Sequence, residues 1–348
     1  DVEWSDRLRR RFTDAMGEAF SRYRSSVYSR GLGETASTQR EEIVEFLKKA
    51  QALALRTVQV NRRDDGLFHA YNILHLEGGS VRITHLPLML EGQVAAISSG
   101  VLSHGEVIEV LMALRKSPLY REDQRSYLLY PVRESPGFLE RNNVPEDVLQ
   151  RCPELSRLVA QGDRSIVVRD EEGKLHFNAD LDNARALRAR IGDRLPDREI
   201  ETLLEVYEDV FRHKEFTGRS GAMYAYEGIG CIYWHMVGKL LLAVAEAYNR
   251  AVREGADVDL LKEIRDCYNE IRSGMGFTKT PAEFGALPLD PYSHTPAEGG
   301  AKQPGLSGQV KEEILARWLE LGVCVEDGKV HFRPTLLRNE EFLASQSE

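Results

Sequence analysis

Carboxylates and histidines placed among aromatic residues and glycines are the groups in this chain most suited to chemistry. Glu227 follows Tyr224 and Tyr226 and precedes Gly228 and Gly230, directly before an apolar helix. Burial of a carboxyl group against aromatic rings raises its pKa toward the working range of a general acid. We therefore predict that Glu227 is a catalytic acid. The alternative is a glutamate near a helix start, where the helix dipole favours it.

A second group of candidates lies in a rigid loop that begins at Asp290. The two prolines of Asp290-Pro-Tyr-Ser-His-Thr-Pro296 restrict the backbone, while Asp290 and His294 supply polar groups. We predict that Asp290 is a second candidate acid and that His294 binds substrate; an ordered surface loop with capped turns is the alternative. Gln303 and Gln309 border the helix start that follows, and we predict that they bind substrate. An ordinary helix start is the competing interpretation.

The early part of the chain supplies a third group. Glu91 opens an apolar helix within Leu90-Glu-Gly-Gln93, a setting like that of Glu227, and His69 and Tyr71 precede it in a polar loop. Glycoside hydrolysis uses two carboxyl groups, one as acid and one as base or nucleophile. We predict that Glu91 is the second carboxylate. Two unrelated glutamates that cap helices are the alternative.

Aromatic side chains surround these groups. Trp234 and His235 lie in the apolar helix that follows Glu227, and aromatic faces are able to stack on sugar rings. A role in the apolar core is the alternative for both residues. The predicted substrate-binding residues are His69, Tyr71, Tyr224, Tyr226, Trp234, His235, His294, Gln303 and Gln309.

The histidines also raise the alternative of a metalloenzyme, in which His69, His85, His235 and His294 would meet in space. The chain has no His-Glu-x-x-His motif, and its four cysteines form no Cys-x-x-Cys pair. Gly-x-Ser-x-Gly and a strand-linked dinucleotide fingerprint are also absent from the sequence. We therefore predict no metal ligand and no cofactor.

Composition narrows the possible partners. The 348 residues are 42% hydrophobic and 29% charged, which is typical of a soluble globular protein. A net charge of −9 argues against a nucleic-acid partner, and no apolar run is long enough to span a membrane. The chain begins with Asp1 rather than Met, as expected for a processed form or a fragment. The oligomeric state stays open.

The hydrophobic periodicity indicates which elements position these groups. It predicts nine or ten helices, mostly in antiparallel pairs, with three small β-hairpins. Residues 1–30 and a helix from about residue 37 are predicted to form the first helical hairpin, and residues 120–131 a short helix or turn. The fold class is therefore mainly α, as a toroid or an irregular bundle of helical hairpins. We predict a helical domain at residues 1–322 and a C-terminal hairpin and tail at 323–348.

The segment Asp65-Gly-Leu-Phe-His-Ala-Tyr-Asn72, the helix start at Glu91 and the aromatic block around Glu227 resemble the pocket loops of (α/α)6-barrel glycoside hydrolases and phosphorylases. The resemblance implies an enzyme that cleaves or phosphorolyses a glycosidic bond of an oligosaccharide or polysaccharide, with inorganic phosphate as a possible second substrate. The alternative is a non-catalytic helical module of a larger polypeptide that binds a glycan or a protein.

Overall fold

The computed structural model describes residues 4–132, 137–212, 230–276, 278–286, 293–295, 299–301 and 310–343. Helices dominate and the strands form small antiparallel pairs, which confirms the mainly α fold class. The chain divides into two compact units: residues 1–132 together with 228–348, and residues 133–227. The toroid and the domain boundary at residue 322 stay predictions. None of the described helices combines the length and the apolar character that crossing a bilayer requires.

The first unit contains most of the helices. They are α1 (Asp6–Arg30), α2 (Arg40–Val60), α3 (Leu90–Ser98), α4 (His104–Lys116), α10 (Trp234–Arg253), α11 (Val258–Ser273), α12 (Pro281–Phe284) and α13 (Val310–Glu320). The second unit contributes the helices α5 (Phe138–Arg141), α6 (Val148–Arg151), α7 (Pro153–Ala160), α8 (Ala184–Ile191) and α9 (Asp197–Phe211).

The strands form five two-stranded sheets. They are β1 (Asn72–Glu77) with β2 (Ser80–His85), β3 (Tyr120–Arg121) with β4 (Ser126–Tyr127), β5 (Val167–Arg169) with β6 (Leu175–Phe177), β7 (Ile232–Tyr233) with β8 (His294–Thr295), and β9 (Val323–Glu326) with β10 (Lys329–Phe332). The three hairpins predicted from turn residues are confirmed as β1–β2, β5–β6 and β9–β10.

Helix α10 lies in the core of the first unit. Twelve of its 20 residues are buried, among them Leu240, Val244 and Tyr248 at four-residue spacing. It packs against α3, α11 and α13. Because each fully buried aliphatic or aromatic side chain contributes roughly 1.5–3 kcal/mol, this helix supplies a large share of the unit's hydrophobic stabilisation.

Helices α1 and α2 form where their periodicity predicts, and their pairing as a helical hairpin stays a prediction. In the described chain neither helix has a buried residue, and α1 packs mainly against β2 rather than against α2. Arg10 of α1 donates a hydrogen bond to the Gly78 carbonyl, 2.9 Å away, in the turn of that hairpin. Phe20 and Phe46 stay 63% and 67% exposed. An amphipathic pattern fixes the helix but not the surface that covers its apolar side.

Of the helix and the turn expected at residues 120–131, the structure has the turn. Strands β3 and β4 pair on either side of it, and Arg125 lies in it at a φ of 48°. Helices α6 and α7 are separated at Cys152, because Pro153 disfavours the helical conformation in the residue before it.

The second unit has its own apolar core. Most of its buried residues come from α6 to α9 and from β5 and β6, and Phe177 packs edge-on against Tyr207 with 5.0 Å between ring centroids. The Tyr207 hydroxyl donates to the Leu181 carbonyl at 2.7 Å, so the polar end of this buried ring is satisfied. Burial raises the pKa of Tyr207 to about 12.

We expect Leu203→Ala, at a fully buried position of α9, to destabilise the second unit by about 2–5 kcal/mol, because it leaves a cavity in this core. Hydrogen exchange of the amides of residues 137–212, followed by mass spectrometry, measures the effect. Glu205→Ala on the exposed side of the same helix is the control and should change stability by less than about 0.5 kcal/mol. Equal exchange in the two variants would contradict this prediction.

Candidate functional site

The Glu-Gly-Gln start of α3 holds the loop that contains His69 and Tyr71. Gln93 is fully buried; its Oε1 accepts from the Phe68 backbone N–H at 2.8 Å, and its Nε2 donates to the Phe68 carbonyl at 2.8 Å. Gly92 permits the close approach, since a Cβ there would lie only 3.0 Å from the Phe68 carbonyl oxygen. Gly92 and Gln93 therefore have structural roles: they hold the loop that contains His69 close to the start of α3, where Glu91 lies.

His69 is stacked on His85. Their ring centroids are 3.9 Å apart with an interplanar angle of 12°. Burial lowers the pKa of His69, and the neighbouring His85 lowers it further, so the neutral imidazole is favoured. The Nδ1 atom of His69 is buried and has no hydrogen-bond partner among the described residues.

Backbone hydrogen bonds connect the start of α3 to the start of α10. The Leu90 N–H donates to the Leu129 carbonyl at 3.0 Å, and the Leu129 N–H donates to the Cys231 carbonyl at 2.9 Å. Cys231 directly precedes β7, which leads into Trp234 and His235. The early candidates and the α10 candidates are therefore anchored to one common segment.

The β7–β8 pair brings His294 to the start of α10. Tyr233 lies opposite His294 in the register, and their rings stack with centroids 4.6 Å apart and an interplanar angle of 10°. Burial lowers the pKa of His294. The Trp234 indole N–H donates to the Thr295 hydroxyl at 2.8 Å, and Trp234 is fully buried. Trp234 therefore lies in the apolar core, which is the alternative role given for it in the sequence analysis. Its contact with substrate stays a prediction.

His235 lies between a carboxylate and a phenol. Its Nε2 is 3.0 Å from Glu312 Oε1, and its Nδ1 is 3.3 Å from the Tyr233 hydroxyl. A carboxylate only accepts, so Nε2 carries the proton and Nδ1 accepts from Tyr233 in the neutral histidine. Glu312 is 4% exposed, and its Oε2 has no partner among the described residues. The arrangement provides a hydrogen-bonded chain that is able to orient a polar ligand and to move a proton.

A buried cation lies beside Trp234. The Lys279 ammonium is 5.3 Å from the Trp234 ring centroid, and Lys279 is only 6% exposed. In the part of the chain that the structure describes, its one hydrogen bond is a 3.4 Å contact with Gln124 Oε1, and it forms no ion pair. Burial, with a smaller contribution from Arg125, lowers the pKa of Lys279 to about 8. A buried charge without a counter-ion is costly, so this ammonium is suited to binding an anion.

Arg121 borders the same region. Its guanidinium pairs with Asp123 at 2.7 Å and also donates to the Gly299 carbonyl. The neighbouring Gly300 allows this segment to pack on Phe284, because a Cβ at Gly300 would lie 2.3 Å from the Phe284 carbonyl oxygen. The segment 299–301 is therefore held against the end of α12, a helix that begins two residues after Lys279.

The structure groups the described candidates into two sets. His69, Tyr71 and Glu91 form one, and Trp234, His235 and His294 form the other. Within the described residues, no three His, Cys, Asp or Glu side chains come together as metal ligands. The remaining predicted residues, Tyr224, Tyr226, Glu227, Asp290, Gln303 and Gln309, lie outside the described residues.

Sequence reasoning missed Glu312 and Lys279. Glu312 belongs to the acidic pair Glu312-Glu313, and such a pair is typical of the exposed first turn of a helix. Lys279 follows Gly274-Met-Gly276 in a polar stretch without periodicity. Neither position carries a local signal, because the burial of a charge depends on residues from distant parts of the chain.

Part of the second unit matches a known family model. Residues 135–214 match the model described as GH149 phosphorylase insertion domain 2. The matched segment falls within the second compact unit, residues 133–227. This match supports the resemblance to glycoside hydrolases and phosphorylases that the pocket loops suggested. No match was found among curated proteins.

We expect Gln93→Leu to lower the free energy of unfolding by about 2–5 kcal/mol, because it leaves the buried Phe68 N–H and carbonyl groups unpaired. Urea denaturation followed by circular dichroism measures the loss. Gln51→Leu, at an exposed position of α2, is the control and should lie close to the wild type. A wild-type midpoint for Gln93→Leu would show that Gln93 does not hold the loop.

The buried Lys279 predicts a pH dependence. Its pKa of about 8 in the folded protein lies below the ordinary 10.5, so the unfolded chain binds the proton more tightly. Stability should therefore rise as pH increases from about 8 to 10.5, and charged Lys279 should cost about 3 kcal/mol at pH 7.

We expect Lys279→Met to be more stable than the wild type at pH 7 and to lose this part of the rise between pH 8 and 10. Urea denaturation at a series of pH values gives the difference between the two proteins. Lys262→Met, at an exposed position of α11, is the control and should show neither effect. A parallel pH dependence in Lys279→Met and the wild type would contradict the prediction.

Proposed function

We propose that this chain belongs to a carbohydrate-active enzyme that cleaves a glycosidic bond by phosphorolysis. The observation that carries the proposal is the match of residues 135–214 to a phosphorylase insertion domain. The folded context supports it, because the matched residues lie within a compact unit that has its own apolar core. We also propose that the helices of the first unit contribute to a toroid, with the candidate residues at its pocket.

In this reaction a phosphate oxygen attacks the anomeric carbon while the glycosidic C–O bond breaks. The products are a sugar 1-phosphate and a saccharide shortened by one unit. Glu227 or Asp290 is the proposed acid that protonates the departing oxygen. Glu91 is the proposed second carboxylate; hydrolysis would need it to activate water, whereas direct attack by phosphate would not.

The described residues fit the two substrates. The stacked Tyr233 and His294 rings offer an aromatic surface for a sugar, and the His235–Glu312 pair offers hydrogen bonds to sugar hydroxyls. Lys279 supplies a desolvated positive charge for inorganic phosphate. Tyr71, Tyr224, Tyr226, His69, Gln303 and Gln309 are proposed to complete the sugar contacts.

We expect incubation with a panel of oligosaccharides to release a sugar 1-phosphate only when inorganic phosphate is present. Glu227→Gln and Asp290→Asn are tested singly, and the variant that removes the acid should lower kcat by about 10²–10⁴-fold. Lys279→Met should raise the phosphate concentration needed for half-maximal rate. Product is quantified by chromatography.

Glu263→Gln, at an exposed position of α11, is the control and should keep wild-type turnover. Wild-type turnover in both Glu227→Gln and Asp290→Asn would remove both assignments. Product release that does not depend on phosphate would replace phosphorolysis with hydrolysis.

A non-catalytic glycan-binding module is the second candidate function. It is favoured by one observation, that the matching model describes an insertion domain of a phosphorylase and not a catalytic domain. Saturable binding of an oligosaccharide, measured by calorimetry, with no product after long incubation would support this module over the enzyme.

A further inference from the structure

The first unit contains a cleft that none of the predicted roles uses. It is enclosed by the start of α1, the end of α2 and the β1–β2 hairpin, and its volume is about 740 Å³. That volume lies within the range of pockets that bind small molecules. Arg10 helps to form the cleft, since its bond to the Gly78 carbonyl fastens α1 to the hairpin.

The lining carries an excess of positive charge. Arg9, Arg56 and Arg82 line the cleft against a single carboxylate, Asp6. Arg9 pairs with Asp6, and Arg82 pairs at 3.0 Å with Glu77 of the hairpin. Arg56 is half-buried and has neither an ion pair nor a hydrogen bond to any residue in the described ranges. A guanidinium in this state is suited to bidentate binding of an oxyanion.

One wall of the cleft is aromatic and aliphatic. The rings of Trp4 and Phe12 meet edge to face, with centroids 5.2 Å apart and an interplanar angle of 85°, and Leu74 and Ile83 continue the apolar surface. Phe12 is still 41% exposed, so this surface is open to a ligand. The cleft therefore offers cations and an apolar wall to the same small molecule.

We propose that this cleft binds a small organic phosphate monoester that carries an aromatic or apolar group. Arg9 and Arg82 are paired with Asp6 and Glu77, so one net positive charge remains, on Arg56, and its planar guanidinium fits two oxygens of a phosphate group. The apolar wall distinguishes such a ligand from inorganic phosphate, which would gain nothing from Trp4 and Phe12. Lys279 is not part of this site, which adjoins the proposed sugar contacts at one place, where His85 of its lining is stacked on His69.

Calorimetric titration of the intact chain with phenyl phosphate, inorganic phosphate and benzyl alcohol tests the proposal. We expect saturable binding of phenyl phosphate, at least tenfold tighter than that of either fragment, and weaker binding at higher salt. Arg56→Gln should weaken phenyl phosphate binding about tenfold, and Trp4→Ala should remove most of the advantage over inorganic phosphate.

Arg22→Gln, on an exposed part of α1 outside the cleft, is the matched control and should bind as the wild type does. Lys279→Met should also retain phenyl phosphate binding, which separates this cleft from the phosphate site of the proposed reaction. Wild-type affinity in Arg56→Gln, equal binding of benzyl alcohol, or absence of saturable binding by the wild type would overturn the proposal.

Discussion

The burial of α10 is the constraint on which the rest of the first unit depends. Its twelve buried residues contribute far more stabilisation than any one polar contact at the site, since a single hydrogen bond adds only about 0.5–1.5 kcal/mol. The first turn of α10 carries His235, and the helices packed on it carry Glu91 and Glu312. Apolar burial therefore sets the positions of these groups, and hydrogen bonds such as that between His235 and Glu312 set their orientation.

Much of the local structure could be predicted because its signals are local. The β1–β2 hairpin follows from alternating apolar residues around Gly78-Gly79, and α9 follows from a periodic stripe after Pro196. The β7–β8 pair could not be found this way, since each strand is two residues long and their partners are distant in sequence. The exposed sides of α1 and α2 show the same limit, because periodicity does not specify what a helix packs against.

Only part of the candidate site can be predicted from the sequence, because sequence patterns do not report which distant residues come together. Residue type alone points to His235 and His294, and the structure places both beside Tyr233. Glu312 and Lys279 look like ordinary surface charges in the sequence. What distinguishes them is burial, which depends on side chains contributed by several elements. In the Glu91-Gly-Gln93 start the carboxylate is the residue that suggests chemistry, yet the glycine and the glutamine are the residues that fix the loop.

The buried ammonium of Lys279 connects stability to the proposed reaction. A cost of about 3 kcal/mol is a large part of the roughly 5–15 kcal/mol that stabilises a typical domain. A ligand present at 100 times its Kd stabilises the folded state by about 2.7 kcal/mol. The two quantities are similar, so phosphate bound at Lys279 would offset the cost of burying the charge. A neutral side chain in the same place would give a more stable protein that lacks this attraction for phosphate.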